Sequence, residues 1–121
     1  MIIPFTLPLP PSVNNLYLNL RGRGRVKSPA YRAWLDEAAA ICSDAAWRHN
    51  PPPPDSRWSL EAVCVMPNWR RRDLDNAAKA AIDFLAARLG LDDNRLVALT
   101  LRKEVVRGEA YIAGEVRVVS E

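Results

Sequence analysis

The segment Arg70–Gly90, RRRDLDNAAKAAIDFLAARLG, decides how this chain folds. Leu74, Ala77, Ala78, Ala81, Ile82, Leu85 and Leu89 recur at i, i+3, i+4, i+7, i+8, i+11 and i+15. That spacing predicts an amphipathic helix over Asp73–Leu89 with one apolar stripe, stopped by Gly90. Ahead of it, Ser59–Pro67 is almost continuously apolar, the pattern of a strand buried on both faces in the middle of a sheet. Behind it, Leu96–Val105 and Ala110–Val119 alternate at period two around Arg107-Gly108, which predicts a β-hairpin with one buried face. A helix between strands makes this half of the chain a β-α-β crossover followed by that hairpin.

Working outward, Ile2–Leu9 reads as a strand with Ile3, Phe5, Leu7 and Leu9 on one face. Pro4, Pro8 and Pro10 each lack an N–H on the same edge, so this strand should border the sheet and pair on its other side only. Pro10–Pro29 reads as a loop holding Asn14-Asn15 and the run Arg21-Gly-Arg-Gly-Arg25. Tyr31–His49 is expected to be a helix, with Trp34, Leu35, Ala38, Ile41, Cys42, Ala45 and Ala46 on its buried face and Ser28-Pro29 as its cap and first turn. Pro51–Pro54 is a stiff spacer. The expected order is β-α-β-α-β-β, a single α/β domain (mixed α+β) over residues 1–121, its mixed sheet packed by two helices and without internal repeats.

Composition narrows the function classes. A chain of 121 residues with 49% hydrophobic and 26% charged residues builds its own core and is neither disordered nor fibrous. No apolar run approaches the ~18 residues of a membrane span, and the proline-rich N-terminus has no basic flank of a signal peptide, so a cytoplasmic protein is expected. Cys42 and Cys64 lack metal-ligand spacing, and His49 is the single histidine. Both thiols are therefore read as reduced core residues rather than zinc ligands.

Charge is arranged in blocks. Residues 1–35 contain Arg21, Arg23, Arg25, Lys27 and Arg32 and no acid. Arg70-Arg71-Arg72 stand directly before an acidic island of Asp73, Asp75, Asp83, Asp92 and Asp93, which only Lys79 and Arg88 offset. The net charge is +3. Basic segments recruit polyanions, and carboxylates repel them unless a cation intervenes, a combination suited to a metal-dependent enzyme acting on nucleic acid.

With Leu74, Ala77 and Ala78 turned to the core, Asp75, Asn76 and Lys79 face outward. Asp73 and Asp75 at a helix start are hard oxygen ligands able to hold Mg²⁺, and Lys79 one turn on adds a cation. The same residues also suit plain structural roles: an aspartate caps a helix by ~1 kcal/mol, and Asp92-Asp93 suits a post-helix turn. Asp83 fits as a solvated partner of Lys79. Tyr17 fits a core or rim position better than a base-stacking one.

The run RRRDLDNAAKAAIDFL (70–85), followed by LGLDDNRLV (89–97) and preceded by PPSVNNLY (10–17), resembles the RusA family of Holliday-junction resolvases over most of the chain. The resemblance implies a cytoplasmic, homodimeric endonuclease, dependent on Mg²⁺ or Mn²⁺, that nicks four-way DNA junctions symmetrically. Position by position it implies metal-binding aspartates at Asp73, Asp75 and Asp93, with Asp92 in reserve, and a catalytic lysine at Lys79. DNA contacts are expected from Asn14, Asn15, Arg21, Arg23, Arg25, Lys27, Arg70, Arg71, Arg72 and Asn76. A competing reading is a non-catalytic nucleic-acid-binding protein whose aspartates only cap and turn; a third is a hydrolase of small phosphorylated substrates. Geometry adds one expectation. A crossover helix of ~25 Å should carry Asp93 to the sheet end opposite Asp73 and Asp75. Either the loop 90–95 folds back, or Asp93 of a partner subunit completes the site. The second is favoured, because a junction and a dimer share approximate twofold symmetry.

Overall fold

The computed structural model describes residues 1–11, 16–42, 50–69 and 74–119, with Asn76 and Ala77 described by their backbone alone. The order is β1 (Ile2–Pro8), β2 (Tyr17–Leu20), β3 (Gly24–Lys27), α1 (Pro29–Ile41), β4 (Arg57–Met66), α2 (Leu74–Leu89), a 3₁₀ turn (Asp93–Arg95), β5 (Leu96–Val105) and β6 (Tyr111–Val119). The main sheet runs β1-β6-β4-β5, and β2-β3 forms a separate two-stranded ribbon. The α/β class with a mixed sheet and two helices follows the sequence reading.

β4 is central as its apolar run requires, parallel to β5 on one edge and antiparallel to β6 on the other. β1 pairs only with β6, so its prolines lie at the border of the sheet. Ile3, Phe5, Leu7, Leu60, Ala62, Cys64, Ile112 and Val116 form the buried face, covered by Trp34 and Ala38 of α1 and by Ala78, Ala81, Leu85 and Leu89 of α2. Gly90, at φ +71°, ends α2 and lets the Leu91 N–H reach the Ala86 carbonyl at 2.9 Å, which turns Leu91 into the core. Cys42 and Cys64 are buried free thiols, as the sequence implied.

Three expectations need correction. β5 and β6 do not form a hairpin: β4 lies between them. The turn at Arg107-Gly108 is present, but Val106 N–H donates to the Met66 carbonyl at 3.0 Å, so the connection passes over the end of β4 to its other edge. The physical reason is that an apolar central strand must satisfy backbone groups on both edges, and the parallel return from α2 fills only one. β5 consequently becomes the outer strand and lacks the expected buried face, with Val97 58% exposed.

The segment 10–29 is not all loop. Tyr17–Leu20 pairs antiparallel with Gly24–Lys27, and the turn passes through Gly22 and Gly24, both at positive φ. Finally, α1 ends at Ile41, which is 54% exposed, with Cys42 as its cap. The expected continuation through Ala45 and Ala46 to His49 lies outside the described residues. Its start is as expected: the Ser28 hydroxyl accepts the Tyr31 N–H at 3.1 Å, and Pro29 opens the first turn.

Candidate active site and nucleic-acid interface

Asp75 and Lys79 lie on the exposed side of the first turns of α2, while Ala78 between them is fully buried. Lys79 Nζ stands 3.7 Å from Asp83 Oδ2, the i, i+4 pair the sequence suggested. Lys79 is exposed and Asp83 only half-buried, so this pair is worth only ~0.3–0.5 kcal/mol and is readily exchanged for a stronger anion. Asp73 and Arg70–Arg72 lie outside the described residues, as do Asn14 and Asn15 and the Asn76 side chain.

The second acidic position is built differently. Asp92 caps the 3₁₀ turn, its Oδ1 accepting the Asn94 N–H at 2.9 Å, and its carbonyl accepts the Trp58 indole N–H at 2.8 Å. Trp58 is fully buried at the start of β4, so the turn is pinned to the core. Asp92 is thereby committed to structure, whereas the neighbouring Asp93 carboxylate is exposed and makes no hydrogen bond or ion pair with a described residue. Asp75 is equally uncommitted. Exposed carboxylates are hard-oxygen donors, and the described thiols are buried in the core, so the donor set fits Mg²⁺ or Mn²⁺ rather than a soft metal.

Within one chain the two acids do not meet. α2 starts beyond the C-terminal end of β4 and returns 16 residues, ~24 Å, to the turn beside Trp58 at the start of that strand. Loop 90–95 does not fold back, because Leu91 is buried and Asp92 is held by Trp58. Among the described residues no three His, Cys, Asp or Glu side chains converge on a metal position.

The basic ribbon is mounted on an aromatic ladder. Arg25 lies over the Tyr17 ring at 4.0 Å, Tyr17 packs edge-on against Tyr31 at 5.6 Å, Tyr31 stacks on Trp34 at 6.3 Å, and Trp34 meets Phe84 of α2 at 5.7 Å. Burial first, then Tyr17 and Asp83, push the Tyr31 hydroxyl up to about 12. Phe84 follows Asp83 on α2, so the ladder that carries the ribbon ends next to the Lys79–Asp83 pair. Beside the ribbon, Arg23, Lys27 and Arg32 line a concavity of about 240 Å³ with Leu20 and Val26. Among the described residues no acid lines it, and the first turn of α1 carries none either. Three cations make this cup electropositive, and the N-terminal end of α1 adds to that field.

A family model described as Endodeoxyribonuclease RusA matches residues 8–118. The chain belongs to the RusA family. It is 41% identical over 93 residues to the crossover junction endodeoxyribonuclease RusA of Escherichia coli strain K12, covering 76% of this chain and 74% of that protein. Over the same shares it is 39% identical to the protein of that name from Shigella sonnei and 38% identical to that of Enterobacteria phage 82. The resemblance carried by RRRDLDN and LDD is thus borne out, and the chain is placed among nucleases.

Sequence reasoning missed two RusA-chain residues that the fold brings forward. Arg32 counts in the sequence as part of the basic segment 1–35 but not among the expected DNA contacts, and its approach to Arg23 and Lys27 depends on the ribbon folding back on α1. Trp69, whose sequence signal is an aromatic immediately before three arginines, stands open to solvent. No helix of the described residues is long and apolar enough to cross a membrane.

Proposed function

We propose that this chain is a divalent-metal-dependent, structure-selective endonuclease that resolves four-way DNA junctions by paired symmetric nicks, acting as a homodimer. The observation that carries the reading is the contrast between the two acidic positions of a RusA-family chain. Asp75 and Asp93 are exposed and uncommitted, yet a whole helix apart.

Asp73 and Asp75 of one subunit, with Asp93 contributed by the second, would hold Mg²⁺ or Mn²⁺. The bound cation supplies charge neutralisation at the phosphorus and a more acidic water. Lys79, released from its weak pair with Asp83, binds a non-bridging oxygen of the scissile phosphate and holds it against the carboxylates. The cup of Arg23, Lys27 and Arg32 grips a backbone phosphate away from the reacting one, and Arg21 and Arg25 extend that grip along the ribbon. Phosphate contacts of this kind fix position without reading bases, which suits an enzyme selecting shape. Two such sites in one twofold assembly cut both strands within one encounter, avoiding a half-resolved product.

The test is cleavage of a synthetic four-way junction beside linear duplex of the same sequence, with Mg²⁺ and with EDTA. Paired nicks in the junction alone, lost in EDTA and in Asp75→Asn, are expected. Tight junction binding with no nick in either Mg²⁺ or Mn²⁺ would leave a binding protein instead.

A further inference from the structure

Trp69 is 77% exposed, the most open of the large apolar side chains among the described residues. The contrast with two other tryptophans is instructive. Trp34 and Trp58 are buried, and each donates its indole N–H to a backbone carbonyl, of Pro8 and Asp92. Trp69 instead has one ring face approached by a cation, Lys103 Nζ at 5.5 Å from the ring centre. Lys103 lies on the outer strand β5, paired with Cys64 near the end of β4. Trp69 follows that end directly, and Arg70-Arg71-Arg72 come next in the chain. The ring therefore stands at the edge of the sheet from which α2 departs, the same edge as Asp75.

A large ring open to water, with a cation on one face, has the chemistry of a nucleobase platform. The π-face takes a base, and the cation takes a flanking phosphate. An apolar protein partner would gain from the indole but nothing from the Lys103 cation beside it. We infer that Trp69 is the stacking platform for an unstacked base at the branch point of the DNA, with Lys103 behind the ring. In continuous duplex every base face is already occupied by its neighbours, so the platform contributes there very little. At a branch the stack is interrupted, and an indole can replace the missing neighbour. Trp69 would thus be a residue of structure selectivity, acting without sequence preference because every base has a π-face. The location at a branch point rests on the endonuclease reading; the stacking itself does not.

The experiment measures equilibrium binding by the full chain carrying Asp75→Asn, which leaves the DNA uncut. The probes are a four-way junction with 2-aminopurine at the branch point and a linear duplex of the same sequence. Added Trp69→Ala is expected to weaken junction binding about 5- to 100-fold, to change duplex affinity less than about twofold, and to relieve quenching of the 2-aminopurine. Trp69→Phe should retain most of the affinity and Trp69→Leu should not. Equal binding by the Trp69→Ala and parent chains would overturn the proposal. So would a Trp69→Leu chain that matches Trp69→Phe, or a loss of affinity that tracks dissociation of a dimer in sedimentation velocity. If the parent shows no preference for the junction, the resolvase reading fails on its own. Indole emission on adding a short oligothymidylate then decides stacking. Quenching that disappears in Trp69→Phe supports it, and absence of quenching overturns it.

Discussion

The two ends of α2 present aspartates in opposite ways. At the C-terminal end Asp92 is spent on capping a 3₁₀ turn, and a buried tryptophan holds its backbone, which leaves Asp93 as a carboxylate on a rigid mount. At the N-terminal end Asp75 and Lys79 project from an exposed helix face, and among the described residues a single weak ion pair, Lys79 with Asp83, ties that face down. The difference teaches that adjacency in sequence does not assign function: of two neighbouring aspartates, the one without a structural duty is the candidate ligand. It also frames the proposal: carboxylates held a helix apart form one site only if a second copy supplies one of them.

The largest effect expected is on cleavage. Asp75→Asn and Asp93→Asn should each lower the junction-cleavage rate more than about 100-fold, since a bound cation supplies several kcal/mol of charge stabilisation. Asp92→Asn, which preserves a capping oxygen, should leave the rate within a few-fold. If Asp92→Asn is the inactive one, the contrast between the neighbours is broken.

Next comes the division of the site. A dimer mixed from Asp75→Asn and Asp93→Asn chains would hold one doubly altered site and one intact site. It should recover single-strand nicking that neither parent shows, read on a denaturing gel. No recovery would mean that each subunit supplies its own carboxylates.

Binding should respond more gently on the ribbon side. Neutralising Arg23, Lys27 and Arg32 together is expected to weaken junction binding roughly tenfold or more and to flatten the salt dependence by about 0.9 for each phosphate left without its cation. The slope of log affinity against log salt measures this, and an unchanged slope would remove the cup from the interface.

The rigidity of the Asp93 mount has its own test. Trp58→Phe removes the donor to the Asp92 carbonyl and leaves a small void in the core. A stability loss of about 1–3 kcal/mol is expected in urea unfolding, with cleavage reduced beyond what the lost stability explains.

The smallest effect concerns the aromatic ladder that joins the ribbon to α2. Because Tyr31 ionises at about 12 in the fold, against ~10 in an unfolded chain, the unfolded state sheds this proton first. Stability is therefore intact below pH ~10 and falls as pH rises toward 12. Thermal unfolding across that range should show the decline, and Tyr31→Phe should lessen it.

Much of this was legible from residues alone because it depends on near neighbours along the chain. The spacing of Leu74, Ala78, Ala81, Leu85 and Leu89 sets a helix face, the Ser28-Pro29 pair starts another helix, and prolines in β1 confine it to an edge. The RRRDLDN…LDD pattern carried the family, and with it the candidate carboxylates. What the residues left open were pairings between distant segments. Alternation marks β5 and β6 as strands but says nothing of which edge each takes. Only the demand of β4 for two partners sends them to opposite sides of it. The ribbon hides in a glycine-rich stretch because its strands are four residues each and mostly exposed, so no buried face imprints a period.

Sequence by itself determined the helices, the apolar centre of the sheet, the basic and acidic blocks and the family, all set by spacing within a turn or two of backbone. Tertiary structure decided that Arg32 joins Arg23 and Lys27 in one cup, that Asp92 is occupied while Asp93 is free, and that Asp75 and Asp93 stand a helix apart. Those outcomes follow from how the sheet satisfies its edges and where Trp58 and the aromatic ladder anchor the turns, through residues too far apart in the chain for any local pattern to record.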